Sequence, residues 1–203
     1  MLEQWFSTFV FFFAVIDPIG TVPVFLAVTK KHDELEKRKI AYKAVLISAG
    51  VLLFFVIAGE LILTAINIPL SAFQIAGGIV LFLFALSMIF GEAKPDEEIR
   101  LVSSSTETAI FPLSVPSIAS PGAMLAAVLL TENHRYNIGE QVMTSFIMLV
   151  VIGVTLLALL AASRIQKWIG QSGASIISRI MGLILSSVAV SNVLAGIKAY
   201  FAL

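Results

Sequence analysis

The sequence predicts an all-α membrane protein: six transmembrane helices forming two inverted-topology repeats of three, with spans one and four discontinuous. Three observations carry this expectation. First, 59% of the 203 residues are hydrophobic and only 13% are charged, about half the charged share of a soluble domain. Second, six separate stretches reach the roughly 20 apolar residues that a helix needs to cross a bilayer. Third, five of the seven prolines crowd into the first and fourth of these stretches.

A mean hydropathy of +1.00 leaves too little polar surface to cover a water-soluble globule. That excludes a soluble enzyme, a nucleic-acid binder and a disordered chain, each of which needs water-facing or phosphate-facing charge. Thirteen basic and thirteen acidic residues cancel, so no bulk field steers a highly charged partner. The expected partners are membrane lipid and a small-molecule substrate. The chain has no cysteine, which removes disulfides, thiolate metal sites and cysteine nucleophiles.

The spans are expected at about 5–29, 41–65, 70–90, 108–130, 141–162 and 176–201. Residues 1–4 carry no Lys or Arg and no small-x-small cleavage site follows, so the first stretch is expected to be an uncleaved span. Eleven of the thirteen basic residues fall on one side, including Lys30, Lys31, Lys94, Arg100, Arg164 and Lys167, against Arg135 and Lys198 on the other. Because cytoplasmic loops carry the basic excess, both termini are placed outside a cell (inner) membrane and the loops after spans one, three and five inside. Lys30 to Lys39, interleaved with Asp33, Glu34 and Glu36, reads as a solvated face and a short surface helix running into span two. The polar stretch 91–107 is a cytoplasmic linker dividing a first repeat, 1–90, from a second, 108–203.

Three spans per half is an odd number, so related halves must insert with opposite topology, the plan of many secondary transporters. An offset of about 103 residues lays Asp17-Pro18 on Ser120-Pro121, Thr29 near Thr131, and Gly78, Leu81 and Ala85 on Gly182, Leu185 and Ala189. Pro18 and Pro23 in span one and Pro112, Pro116 and Pro121 in span four each remove a backbone donor and clash with the preceding turn. The freed groups cannot face lipid, so these two spans are expected to face the centre. Asp17 before Pro18, and Ser120 before Pro121, each read as an N-cap with proline at the first helical position, a helix start placed mid-span. Such a start offers unpaired N–H groups and a positive dipole end to a carboxylate, and Gly20 and Gly122 are expected to let a ligand reach the backbone there.

Asp17-Pro18-Ile19-Gly20-Thr21-Val22-Pro23, Ala72-Phe73-Gln74-Ile75-Ala76-Gly77-Gly78, Phe111-Pro112-Leu113-Ser114-Val115-Pro116 through Ser120-Pro121-Gly122-Ala123, and Arg179-Ile180-Met181-Gly182-Leu183 resemble the signature segments of the MarC family of integral membrane proteins. The likeness covers essentially the whole chain. It implies six spans and, from the family's characterised transporter branch, movement of small neutral amino acids such as glycine and alanine. The family commonly has glycine where this chain has Ser120, a hydroxyl that bears on pocket size.

Asp17 is the acid nearest the middle of a span; it reads either as a cavity group for a substrate ammonium, cation or proton, or as a structural N-cap. For a zwitterion, the amino group is expected towards Asp17 and the carboxylate towards the N–H groups of Gly122 and Ala123, with Pro18, Gly20, Ser120 and Pro121 shaping the site. Glu60 snorkels, bonds a neighbouring span or couples an ion. Gln74 and Asn192 form an interhelical hydrogen bond or line the pocket. Gly77, Gly78 and Gly182 are expected to pack spans three and six. His32 and His134 fall in loops at opposite faces and cannot form one metal site.

The reading is therefore a secondary transporter working by alternating access at a midplane site between two broken helices, with no cofactor. Its coupling ion is left open between a proton and sodium, and homo-oligomer formation is left open too. The alternatives are an exporter of another small metabolite, or a cation or proton-coupled channel or carrier. An enzyme is not expected, since the spans hold neither His nor Cys and only Asp17 and Glu60 as acids.

Overall fold

The computed structural model describes residues 2–90, 105–133 and 135–201. The linker stretch 91–104, with Lys94 and Arg100, and His134 therefore lie outside the described residues. Among the described residues every regular element is helical. Helix α1 (Leu2–Ile16) is followed after Asp17 by α2 (Pro18–Val28). Then come α3 (Glu34–Ala65) and α4 (Leu70–Phe90). A single turn, Ser105–Thr108, leads into an irregular wide helical segment, α5 (Ala109–Ile118). The chain ends with α6 (Pro121–Leu129), α7 (Ile138–Leu160) and α8 (Ala162–Tyr200).

Five stretches are long and apolar enough to cross a membrane, and α5 with α6, bent by 56°, brings the number to six if that pair is one span. The bent pair keeps company with α3 along most of its depth. Ser114 Oγ lies 2.9 Å from the Ala44 carbonyl oxygen, and Val128 packs on Gly59; Ala44 and Gly59 are about 22 Å apart along α3 at 1.5 Å per residue. Large apolar side chains on the outer faces, such as Ile57 at 78% and Leu46 at 75% exposure, suit contact with lipid rather than water.

Most boundaries follow local chemistry. The Asp33 side chain caps α3 by accepting from the Glu36 N–H at 2.7 Å, and the expected surface helix after Lys31 is simply the first turns of span two. Asn137 and Glu140 form a reciprocal capping box that starts α7 three residues before the expected 141. The expected loop between spans five and six is corrected: residues from Ala162 onward are helical, with the break at Gly170, whose φ of 68° glycine alone adopts cheaply. Span four is also more irregular than one restart at Ser120 implies. Phe111 and Val115 are extended, because a residue preceding proline is pushed out of the helical region.

The tightest interface joins α4 to α8, antiparallel. A Cβ on Gly78 would sit 3.0 Å from the Ala189 carbonyl oxygen, one on Gly182 2.9 Å from that of Ala85, and one on Gly196 2.9 Å from that of Ser71. Glycine at these positions is what lets the two backbones approach. The expected interhelical bond forms here, with Gln74 Nε2 donating to Asn192 Oδ1 at 3.3 Å.

Candidate functional site

Asp17 is buried and left-handed, with φ 49° and ψ 70°. Outside glycine, Asp and Asn are the residues that enter this region most readily. Its Oδ1 accepts from the Gly20 N–H at 2.9 Å and its carbonyl from the Thr21 N–H and hydroxyl at 3.0 Å. So the cap expected from the Asp-Pro sequence is present, with buried Pro18 at the first helical position. Ser120, fully buried, caps α6 by accepting from the Ala123 N–H at 3.1 Å, ahead of Pro121.

The Ser120 cap reaches the chain two residues before Asp17. Ser120 Oγ donates to the Val15 carbonyl at 2.6 Å, so the hydroxyl at one helix start satisfies a backbone acceptor beside the other, as an apolar surrounding demands. This is a contact that Gly at position 120 would not make.

Two glycines bear on the expected ligand access. The space beside Gly20 is taken by the Asp17 carboxylate, and that beside Gly122 by Leu81, whose Cδ1 would lie 2.5 Å from an added Cβ. Neither glycine opens onto a ligand in this conformation. The Ala123 N–H is engaged by Ser120, which leaves Gly122 as the first-turn donor that the cap does not take.

Around this junction runs a set of buried hydroxyls that sequence reasoning passed over. Ser117 Oγ and Thr21 Oγ1 are 3.5 Å apart, linking α5 to α2, and Ser48 Oγ reaches the Ala44 carbonyl at 2.8 Å and the Ser114 carbonyl at 3.4 Å. The signal was available: Ser114, Ser117 and Ser120 recur every third residue through the proline segment, a spacing that puts them along one side of a helical path.

Glu60 lies apart from the junction. Its Oε2 accepts from Asn133 N–H at 2.8 Å and Asn133 Nδ2 at 2.9 Å, while Gln141 Nε2 donates to Asn133 Oδ1 at 3.2 Å and the Tyr136 carbonyl at 3.0 Å. Its partner is thus the 131–137 connection rather than a neighbouring span. Glu60→Ala is expected to speed hydrogen exchange of the Asn133 amide by about tenfold, the equivalent of one hydrogen bond to a charged acceptor. Glu60→Gln, which keeps an acceptor, should change it far less. Gln74 and Asn192 lie with the α4–α8 seam, not with Asp17 and Ser120.

The family model described as MarC family integral membrane protein matches residues 2–201. The chain belongs to the MarC family. A UPF0056 membrane protein of Methanocaldococcus jannaschii is 34% identical over 200 residues, covering 97% of each chain. The UPF0056 inner membrane protein YhgN of Escherichia coli is 31% identical over 199 residues, covering 98% of each. The Bacillus subtilis UPF0056 membrane protein YvbG is 32% identical over 198 residues, with 95% of this chain and 93% of the relative covered. No solved structure matches the chain. Family membership makes this an integral membrane protein and agrees with the apolar helices described above.

Proposed function

We propose that the protein is a secondary transporter that moves small neutral amino acids, of the size of glycine and alanine, by alternating access between two half-broken spans. The observation that carries the reading is the hydrogen bond from Ser120 to Val15: two mid-span helix starts, one acidic and one neutral, are buried against each other. A zwitterion matches that asymmetry, with its ammonium towards Asp17 and its carboxylate towards the Gly122 N–H and the positive end of α6. Leu81 and the Ser120 cap fill the junction in this conformation, so the reading requires them to give way when the solute is held.

The inverted repeat is part of the same proposal, and reciprocal packing supports it. Gly78 faces Ala189 as Gly182 faces Ala85, the exchange that an in-plane two-fold with an offset of about 104 residues produces. Thr29 and Thr131 close α2 and α6 with the same bond, each hydroxyl donating 2.6 Å to the carbonyl four residues back. Helix α3 packs on α5 and α6 as α7 packs on α1 and α2. In this reading 1–90 and 108–203 are the repeats, α5 with α6 is the sixth span, and both termini face outside, with the basic loops in the cytoplasm. The inner membrane is its proposed location, as for the Escherichia coli relative. A proton or sodium is the coupling ion, and lipid surrounds a monomer or homo-oligomer.

The test is counterflow in proteoliposomes. Vesicles loaded with unlabelled glycine or alanine are expected to accumulate the labelled amino acid transiently, at least about fivefold above protein-free vesicles. Exchange of another small metabolite, with amino acids inert, would replace the substrate class; cation flux without solute exchange would replace the carrier reading by a channel.

A further inference from the structure

On the side where α1 begins and the 131–137 connection ends, α1, the end of α6 and the start of α7 line a half-open cavity of about 240 Å³. Its lining includes Gln4, Ser7, Thr8, Tyr136 and Thr144, whose side chains bear hydrogen-bonding groups; Gln4 and Ser7 are exposed, and the Thr8 hydroxyl donates to the Gln4 carbonyl at 3.0 Å. Phe11 and Leu130 form the apolar part. The volume equals about eight waters at ~30 Å³ each, room for a solute of a few heavy atoms and below the roughly 300 Å³ where drug-sized sites begin.

The wall is held from behind. Gln141 fixes the Tyr136 carbonyl and Asn133, and Asn133 is fixed by Glu60, while Thr144 is buried on α7. The cavity is also in line with the capping junction. Gln4, Thr8, Phe11 and Val15 follow one another at helical spacing on one face of α1, and Val15 is the residue whose carbonyl takes the Ser120 hydroxyl. Phe11 thus stands about 6 Å above the junction at 1.5 Å per residue.

We infer that this cavity is a second binding site, for a small hydrogen-bonding solute of zero net charge, held by Thr144, Tyr136 and Gln4. In the transport reading, on which the solute's identity rests, it is the waiting position one step from Asp17 and Ser120. None of the lining side chains is a carboxylate or a base, although the Arg135 guanidinium lies over the Tyr136 ring, 5.5 Å from its centroid. A solute of net charge finds no counter-charge on this lining, whereas the opposite charges of a zwitterion offset each other.

The natural absence of cysteine makes the test direct. Ser7→Cys places the protein's single thiol in the cavity wall, and its rate of modification by a small methanethiosulfonate reagent reads occupancy. Glycine, alanine and serine are expected to slow modification at least threefold at saturation, whereas glutamate and lysine at equal concentration should not. Thr144→Val in the same background is expected to raise the half-protecting concentration about three- to tenfold, the loss of one neutral hydrogen bond. Tyr136→Phe serves the same purpose should Thr144→Val melt early. A rate indifferent to every solute, equal protection by charged solutes, or protection unchanged in both variants would overturn the inference. Protection by neutral amino acids without counterflow would sink transport and leave the site standing; counterflow without protection would do the reverse.

Discussion

Asp17→Asn is expected to abolish amino-acid counterflow, by about 100-fold or more, while leaving the folded protein in place. The substitution separates two roles that overlap in one side chain. Asparagine tolerates the left-handed backbone at this position and caps a helix about as well as aspartate, so the bond to the Gly20 N–H survives and the melting temperature should barely move. What disappears is the carboxylate that the proposed ammonium or coupling cation needs in a medium where unpaired charge is costly. Counterflow and thermal unfolding measured on the same preparation decide it. Counterflow that persists near the parent rate would make Asp17 a structural cap alone. Asp17→Ala is the contrasting variant: it loses the cap and strains at positive φ, and is expected to cost about 1–3 kcal/mol of stability.

The second large effect concerns the α4–α8 seam. Gly182→Ile is expected to lower unfolding stability by about 2–3 kcal/mol, since overpacking a tight interface strains it and, although Ile89 Cγ1 at 2.9 Å can move, the other two neighbours of an added Cβ cannot swing away. Its Cβ would lie 2.9 Å from a backbone oxygen, that of Ala85, and 3.0 Å from Met88 Cβ. Gly153→Ala is the control, because nothing lies within 4 Å of an added Cβ there; it should be neutral or gain up to about 1 kcal/mol from helix propensity. Gly78→Ile should lose about as much as Gly182→Ile if the two glycines are repeat equivalents. A Gly182→Ile protein as stable as the parent in detergent melts would mean that the seam parts more easily than its geometry implies.

Local signals made much of this architecture readable in advance. Span three starts at Leu70 as expected and is helical as far as Phe90, the last residue described before the linker, because Pro69 marks the start of a long apolar run. Both caps, Asp17 and Ser120, were legible because N-capping depends on residues within three positions. The helical stretch after Ala162 was not: its mixed polar and apolar residues look like a loop to a search for uninterrupted hydrophobicity, although helical hydrogen bonding needs no such run. The Ser114 and Ser117 hydroxyls were overlooked because a serine among prolines has no distinctive hydropathy; their three-residue spacing with Ser120 is a sequence signal, but their burial depends on neighbours in space.

The sequence alone determined that this chain lives in a bilayer, roughly where it crosses, and where the two proline-led helix starts fall, since each is a matter of hydrophobicity and bonding over a few consecutive residues. The tertiary structure decided that the Ser120 hydroxyl reaches Val15 across 105 positions of chain, that Leu81 fills the space beside Gly122, and that Glu60 holds a connection instead of facing the centre. Those outcomes depend on which helices become neighbours, and in a membrane, where hydrophobicity does not distinguish a lipid contact from a helix contact, only close packing and the need to satisfy buried polar groups settle that choice.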